Sequence, residues 1–244
     1  NQRPKEDTYS AVPSQDAFRL IIASCDTSQD YLSSTDFTAA FLQAFRWKDG
    51  RSMLIKFWDP FASKFIYMYI NGVIYGDQRG SRDWKKTLAF RLVSELGFEE
   101  CCNMESVYHH KDRKVTLACH VDDPLLKCKS HQGQTWIHQE LETKFDVRGR
   151  AYLTPGTSLD YLSMRVTLHH NGDLTVDNQL KIEKYLKEYG LLECNPANEP
   201  ITKHMLGQIG VNSNQGLKAT EQDAASMDKM LGELLWLSQT THCT

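Results

Sequence analysis

Two places in the sequence put carboxylates where a chain could do chemistry with them. Asp36 lies at the end of YLSSTDF (31–37), which reads as a short strand, so its side chain can leave the core and face a cleft. Asp122 and Asp123 follow a run in which Val115, Leu117, Cys119 and Val121 alternate with Thr116, Ala118 and His120. That period of two marks a half-buried strand. A second apolar stretch, Pro124 to Leu126, follows at once, so the two aspartates read as the tip of a hairpin. Three carboxylates at two strand ends could hold two Mg²⁺ ions about 3.5–4 Å apart, the arrangement that stabilises both the attacking and the leaving oxygen in phosphoryl chemistry. Mg²⁺ takes one or two carboxylates plus water and substrate phosphates. In that arrangement Asp36 and Asp122 bridge both ions and Asp123 is the supporting ligand.

The elements that must position these residues alternate between strand and helix patterns. Residues 14–26 carry a helical spacing through Ala17, Leu20, Ile21 and Ser24, with Ser14 as N-cap. Residues 38–45 read as the start of a helix after the Asp36 strand. Residues 52–57 and 65–70 are strand-like, with Asn71-Gly72 as a turn signal between apolar runs. An amphipathic helix over 82–96 shows Trp84, Leu88, Leu92, Val93 and Leu96, and Gly97 follows where a helix stops. Strands are expected over 105–110 and 114–121 around a polar KDR turn. A helix over 134–145 uses Trp136, Ile137, Leu141 and Phe145. Strands over 159–168 and 172–176 meet at Asn171-Gly172, followed by a charged helix over 178–190. Residues 195–222 are loop-like. A last helix over about 223–239 carries Met227, Met230, Leu231, Leu234 and Leu235 on one side.

Composition narrows the field without deciding it. The 244 residues are 41% hydrophobic and 24% charged, the balance of an ordinary globular chain. The net charge of −3 carries no whole-chain signal for nucleic acid, although Arg79, Arg82, Lys85 and Lys86, then Lys111, Arg113 and Lys114, then Arg148 and Arg150 form local basic clusters. A cleft alone can neutralise phosphates. Seven cysteines in a scattered, odd set, with no CxxC pair, argue against a disulfide framework and a structural zinc site. Cys101, Cys102, His109 and His110 are close in sequence, but adjacent cysteines rarely reach one tetrahedral centre together. No apolar run approaches the roughly 18 residues of a membrane span. The chain opens on Asn1 without an initiating Met, so a fragment of a longer protein is expected.

The motifs, taken in order, resemble the copia-type reverse transcriptases across nearly the whole chain. That family carries a motif close to DVKTAFL, then LYGLKQAPRAW, a helix ending LGF, then YVDD, then FLG before alternating apolar residues, a Q-x-x-Y helix and a YRxxxGxLxYL helix. This sequence reads TDFTAAFL at 35–42, IYGDQRGSRDW at 74–84, ELGF at 95–98, HVDD at 120–123, YLSMRV at 161–166, QLKIEKYL at 179–186 and MDKMLGELLWLS at 227–238. It departs from the pattern at several points. His120 stands for the tyrosine, and Arg79 for the loop glutamine, with Gln78 one position earlier. Pro124 replaces an aliphatic residue, Ser163 replaces the FLG glycine, and His242-Cys243-Thr244 replaces the trailing RPD.

The resemblance implies an α/β (α+β) fold: a polymerase palm and fingers with an antiparallel sheet flanked by helices, plus a small helical thumb-like part. It implies fingers and palm over 1–168, a thumb-like hairpin and helix over 169–200, and a linker leading toward a further region over 201–244. It implies an RNA-directed DNA polymerase of a retrotransposon polyprotein, adding deoxynucleoside triphosphates to a primer 3′-end on an RNA or DNA template. Asp36, Asp122 and Asp123 are then catalytic and hold two Mg²⁺ ions, or Mn²⁺. Phe41, Gln78, Arg79 and His120 bind substrate, Phe41 by pressing on the sugar and rejecting a 2′-hydroxyl. Arg148 and Arg150, just before the region matching the primer grip, could touch phosphate. The family's polyprotein adds integrase and RNase H as partners and a cytoplasmic virus-like particle as the setting, with no membrane. The departures leave a second reading: an inactive reverse-transcriptase-like domain that only binds nucleic acid. Two others are a metal-dependent hydrolase, and a structural α/β domain whose polar turns leave the three aspartates far apart.

Overall fold

A computed structural model describes residues 10, 12–46, 52–195 and 220–241, of which the side chains of residues 223 and 239–241 stand outside the description. It is a mixed α/β chain with antiparallel sheets flanked by helices. It divides into two compact units, Asn1–Leu162 with Val166–Thr175, and Ser163–Arg165 with Val176–Thr244.

The first unit is built on a six-stranded sheet. Its strands are β1 (Tyr31–Phe37), β4 (Glu99–Glu100), β5 (Val107–His110), β6 (Val115–His120), β7 (Asp123–Cys128) and β8 (Val147–Tyr152), in the order β4-β5-β6-β7-β1-β8. Each neighbouring pair is antiparallel. The alternation read in 115–121 holds: Val115, Leu117 and Cys119 enter the core. There they meet Trp84, Leu88 and Leu92 of α2 (Gly80–Ala89) and its π-helical continuation Phe90–Glu95, and Ile137 and Leu141 of α3 (His131–Lys144). Phe37, Trp84 and Phe145 pack edge-on in a three-ring cluster with centroids 4.9 to 5.4 Å apart. Gly97 ends the π turn with φ +78.

Helix α1 (Gln15–Ala23) starts at Ser14, whose hydroxyl accepts from the Ala17 N–H at 3.2 Å. Its buried face is Ala17, Phe18, Ile21 and Ile22. Leu20, expected on that face, is exposed, because the stripe turns one residue away from the sequence reading.

Other expectations need correction. Residues 38–45 form only a 3₁₀ turn, Ala40–Gln43, between left-handed Ala39 and extended Ala44. The Gln43 side chain replaces further helical bonds. It donates to the carbonyls of Thr38 and Asp146 and accepts from the Asp146 N–H. Asn71-Gly72 does bend the chain, at Gly72, but no paired strand follows it. Strands β2 (Met53–Asp59) and β3 (Lys64–Ile70) reverse over residues 60–63, where the Asp59 carboxylate accepts from the N–H groups of Phe61 and Ala62. The expected single strand over 159–168 is two, β9 (Thr157–Tyr161) and β10 (Met164–Leu168), broken at Leu162 and Ser163, both at positive φ. Asn171-Gly172 does lie between β10 and β11 (Leu174–Asp177), in a three-stranded sheet of order β11-β10-β9.

In the second unit, α4 (Gln179–Glu188) and α5 (Glu221–Thr241) are joined by a hydrogen bond from the Tyr189 hydroxyl to Glu233 at 2.7 Å and by a Lys229–Glu188 ion pair. Met227, Leu231, Leu234 and Leu235 of α5 are exposed. The loop expected over 195–222 falls largely outside the described residues, as do residues 242–244.

Two outcomes follow. Ser163 is exposed and sits at φ +67, a backbone region that disfavours any side chain and that glycine enters freely. Ser163→Gly is expected to raise unfolding stability by about 0.5–1 kcal/mol in urea denaturation. The second concerns His138 on α3, buried with its Nε2 3.0 Å from the Ser33 hydroxyl. Burial first, then the nearby Arg150 charge, push its imidazole from 6.5 down to about 4. The unfolded chain therefore takes up this proton before the native state does, and the stability held above pH 6.5 is lost as pH falls toward 4. Comparing denaturation at pH 7 and pH 4.5, His138→Gln should lose about 1–2 kcal/mol of the wild-type drop, after allowance for solvent screening.

Candidate active site

The two carboxylate positions, far apart in sequence, meet at one end of the six-stranded sheet. The β6–β7 connection is a two-residue turn, Val121-Asp122, with His120 and Asp123 as the closing pair. Val121 has φ +57, a position that glycine takes in the hairpin turns with positive φ at the first central residue. A β-branched residue held there costs on the order of 1–3 kcal/mol. Three consecutive carbonyls secure the turn, each to a different element. The Val121 carbonyl accepts from the Trp84 indole N–H at 2.6 Å, with the Cys119 thiol also donating to it. The Asp122 carbonyl accepts from the Phe37 N–H of β1 at 2.9 Å. The Asp123 carbonyl accepts from the Tyr161 hydroxyl of β9 at 2.9 Å. At about 1 kcal/mol net per hydrogen bond, these are of the size needed to offset the strain.

Strand alternation then decides where the side chains go. Phe37 and Cys119 point into the main core, so Asp36 and His120 project from the opposite face. Asp123 shares that face as the cross-strand partner of His120, and Arg148 of β8 shares it as the partner of Asp36. The Arg148 Nε donates to the Asp36 carboxylate. Arg148 is largely exposed, whereas Asp36 is three-quarters buried, so the arginine reaches in from solvent over the acid.

The electrostatics bring Asp36 and Asp122 to bear on Asp123. Burial first, then Asp122 and Asp36, push the Asp123 carboxyl up from 3.8 to about 6. Asp36, with smaller help from Asp122 and Tyr75, raises the Arg148 guanidinium above its ordinary value. Burial lowers the His120 imidazole against the opposing pull of Asp122. Its Nδ1 is buried without a hydrogen-bond partner, and its ring lies 6.4 Å from Phe18.

The other expected residues are less closely gathered. Phe41 is half-buried on the 3₁₀ turn, its ring 5.0 Å from Tyr75 and its edge over Gly80. Gln78 is exposed, and Arg79 caps the start of α2, where its own N–H is held by Asp77. Arg150 is engaged by Glu142. The sequence reading named Arg148 only as a phosphate contact and missed its pairing with Asp36. It placed no strand over 147–152, and without that strand no register exists.

As a donor set, three aspartates suit Mg²⁺, a hard cation that takes one or two carboxylates and completes its shell with water and phosphate. Among the described residues, no three His, Cys, Asp or Glu side chains converge into a ready cage. The Asp36 carboxylate is engaged by Arg148, and the remaining charge is crowded at Asp122 and Asp123. A divalent cation would relieve that crowding.

Neither a family model nor a curated protein matches the chain. Among solved structures, it is similar to apo telomerase from Candida tropicalis truncated from its C-terminal domain, at 9% identity and a TM-score of 0.38, covering 69% of this chain and 41% of that one. It is also similar to telomerase from Candida albicans in complex with a fragment of telomeric RNA, at 10% identity and a TM-score of 0.37, covering 98% of this chain and 46% of that one. The chain thus spans less than half the length of either, and likeness at this level does not fix a family.

The crowding predicts a measurable cost. Because the native Asp123 carboxyl titrates near 6 rather than 3.8, the wild type loses stability as pH rises through that interval. Without divalent ions, Asp123→Asn should be more stable than wild type by about 1 kcal/mol at pH 8, after allowance for solvent screening, and equal to it near pH 3.5. Urea midpoints at the two pH values check this.

Proposed function

We propose that this chain is the palm and fingers of a copia-type reverse transcriptase, an RNA-directed DNA polymerase that extends a primer 3′-end with deoxynucleoside triphosphates. The observation that carries the proposal is the meeting of Asp36 with the Asp122-Asp123 turn through the Phe37–Asp122 hydrogen bond and their mutual charge. The ordered run of motifs gives that meeting its interpretation.

In this reading Asp36, Asp122 and Asp123 hold Mg²⁺ or Mn²⁺, which when bound supplies charge neutralisation for phosphoryl transfer. The primer 3′-hydroxyl gives up its proton to solvent, its oxygen forms a bond to the α-phosphorus as the bond to pyrophosphate breaks, and the chain's own contribution is positioning and electrostatics. Phe41 beside Tyr75 forms an aromatic wall for the sugar, and His120 lies under the primer end. Gln78 and Arg79, at the start of α2, face the incoming triphosphate. Template, primer and nucleotide are the partners. Integrase and RNase H are the neighbouring activities of the polyprotein, and a cytoplasmic particle is the setting. No helix among the described residues is long and apolar enough to cross a membrane.

One observation favours a second reading, an inactive domain that binds nucleic acid: the Asp36 carboxylate is already matched by Arg148. Primer extension on an RNA template with Mg²⁺ separates the two. Wild type should extend, and Asp122→Asn should lose at least about a hundredfold in rate. A folded wild type that binds primer–template and never extends it would establish the inactive reading.

A further inference from the structure

The sheet register makes Arg148 the direct cross-strand neighbour of Asp36, and its guanidinium meets the carboxylate of that candidate metal ligand. Three features make this more than a surface ion pair. First, the carboxylate is three-quarters buried while the arginine stem is exposed, so the arginine can leave and the acid cannot. Second, the pairing is fixed by backbone: the Arg148 carbonyl accepts from the Thr35 hydroxyl at 3.0 Å, and the register shifts between Ser34 and Asp36, which re-aims this stretch of β1. Third, the Asp122 carbonyl accepts from the N–H of Phe37, the residue next to Asp36, at 2.9 Å, so the arginine stands at the strand end where the acidic turn also docks.

We propose that Arg148 is a resident counter-cation that occupies Asp36 in the metal-free site, competes with the divalent ion for that carboxylate, and is released toward the nucleotide phosphates when the ion binds. The proposal rests on the metal-binding reading of the aspartates. A guanidinium presents a planar fork suited to phosphate, and Arg148 stands on an exposed stem from which to present it. The exchange keeps the buried carboxylate matched in both states, by the arginine before the ion arrives and by the ion afterwards.

The test is Mn²⁺ binding to the whole chain without nucleotide, followed by electron paramagnetic resonance at low salt. Arg148→Gln should bind Mn²⁺ about fivefold more tightly than wild type, the size expected for removing one exposed ion-pair competitor. Arg148→Lys, which keeps the charge, should stay near wild type. Adding Asp36→Asn to Arg148→Gln should abolish the gain. Circular dichroism establishes that each variant is folded, and should Arg148→Gln fail to fold, Arg148→Met is measured in its place against the same expectation. Equal or weaker Mn²⁺ binding by a folded charge-neutral variant, with binding still dependent on Asp36, overturns the counter-cation proposal and leaves the metal site standing. Absence of Mn²⁺ binding by wild type and all variants overturns both.

Discussion

Three adjacent carbonyls carry the architecture of the candidate site. Those of Val121, Asp122 and Asp123 accept in turn from Trp84, Phe37 and Tyr161, which belong to a helix, the end of β1 and a separate sheet. A two-residue turn with a β-branched residue at positive φ and two acidic side chains has little reason to hold its shape alone. Pinned at three successive peptide groups, it has little freedom to relax. The backbone bears the constraint, so the side chains are free to project from the far face. Trp84 is central here, because it is both a fully buried core residue and the donor to the strained carbonyl. Removing such a side chain would open a cavity and orphan an acceptor together.

That fixed backbone explains why like charges sit together at all. Carboxylates on flexible loops drift apart, whereas here Asp36 and Asp122 are tied by a strand-end hydrogen bond and Asp123 is locked opposite His120. The resulting repulsion is met in two ways. Asp36 is neutralised by an arginine, and Asp123 gives up acidity. Sites built for charged chemistry commonly carry this kind of stored mismatch.

Much of the frame was legible because it follows simple periods. The strand through Val115, Leu117 and Cys119, the helix through Trp84, Leu88 and Leu92, and Ser14 as a cap all appear where the pattern puts them. The three aspartates were legible from their place at strand ends. What stayed hidden depended on partners distant in sequence. The strand 147–152 is a sheet edge, reads VRGRAY, and shows no apolar alternation because none of its residues is fully buried. The reversal at Leu162-Ser163 lacks glycine, so no turn signal marks it, although the resemblance places a glycine at Ser163. The helix expected after Asp36 lost to Gln43, whose amide closes that segment against Asp146.

Strand β1 is an early segment of the chain, yet both of its neighbours, β7 and β8, come from much later ones. The Arg148–Asp36 pair alone spans 112 residues. Contacts of such separation are opposed by loop-closure entropy until the intervening chain is already compact, and topologies rich in them fold slowly. The β5–β6–β7 meander can form from local pairing, with Asp122 and Asp123 at its tip. Asp36 joins them only when β1 slots between β7 and β8. The candidate site therefore has no existence in any partial structure that lacks this insertion, and its assembly coincides with completion of the sheet.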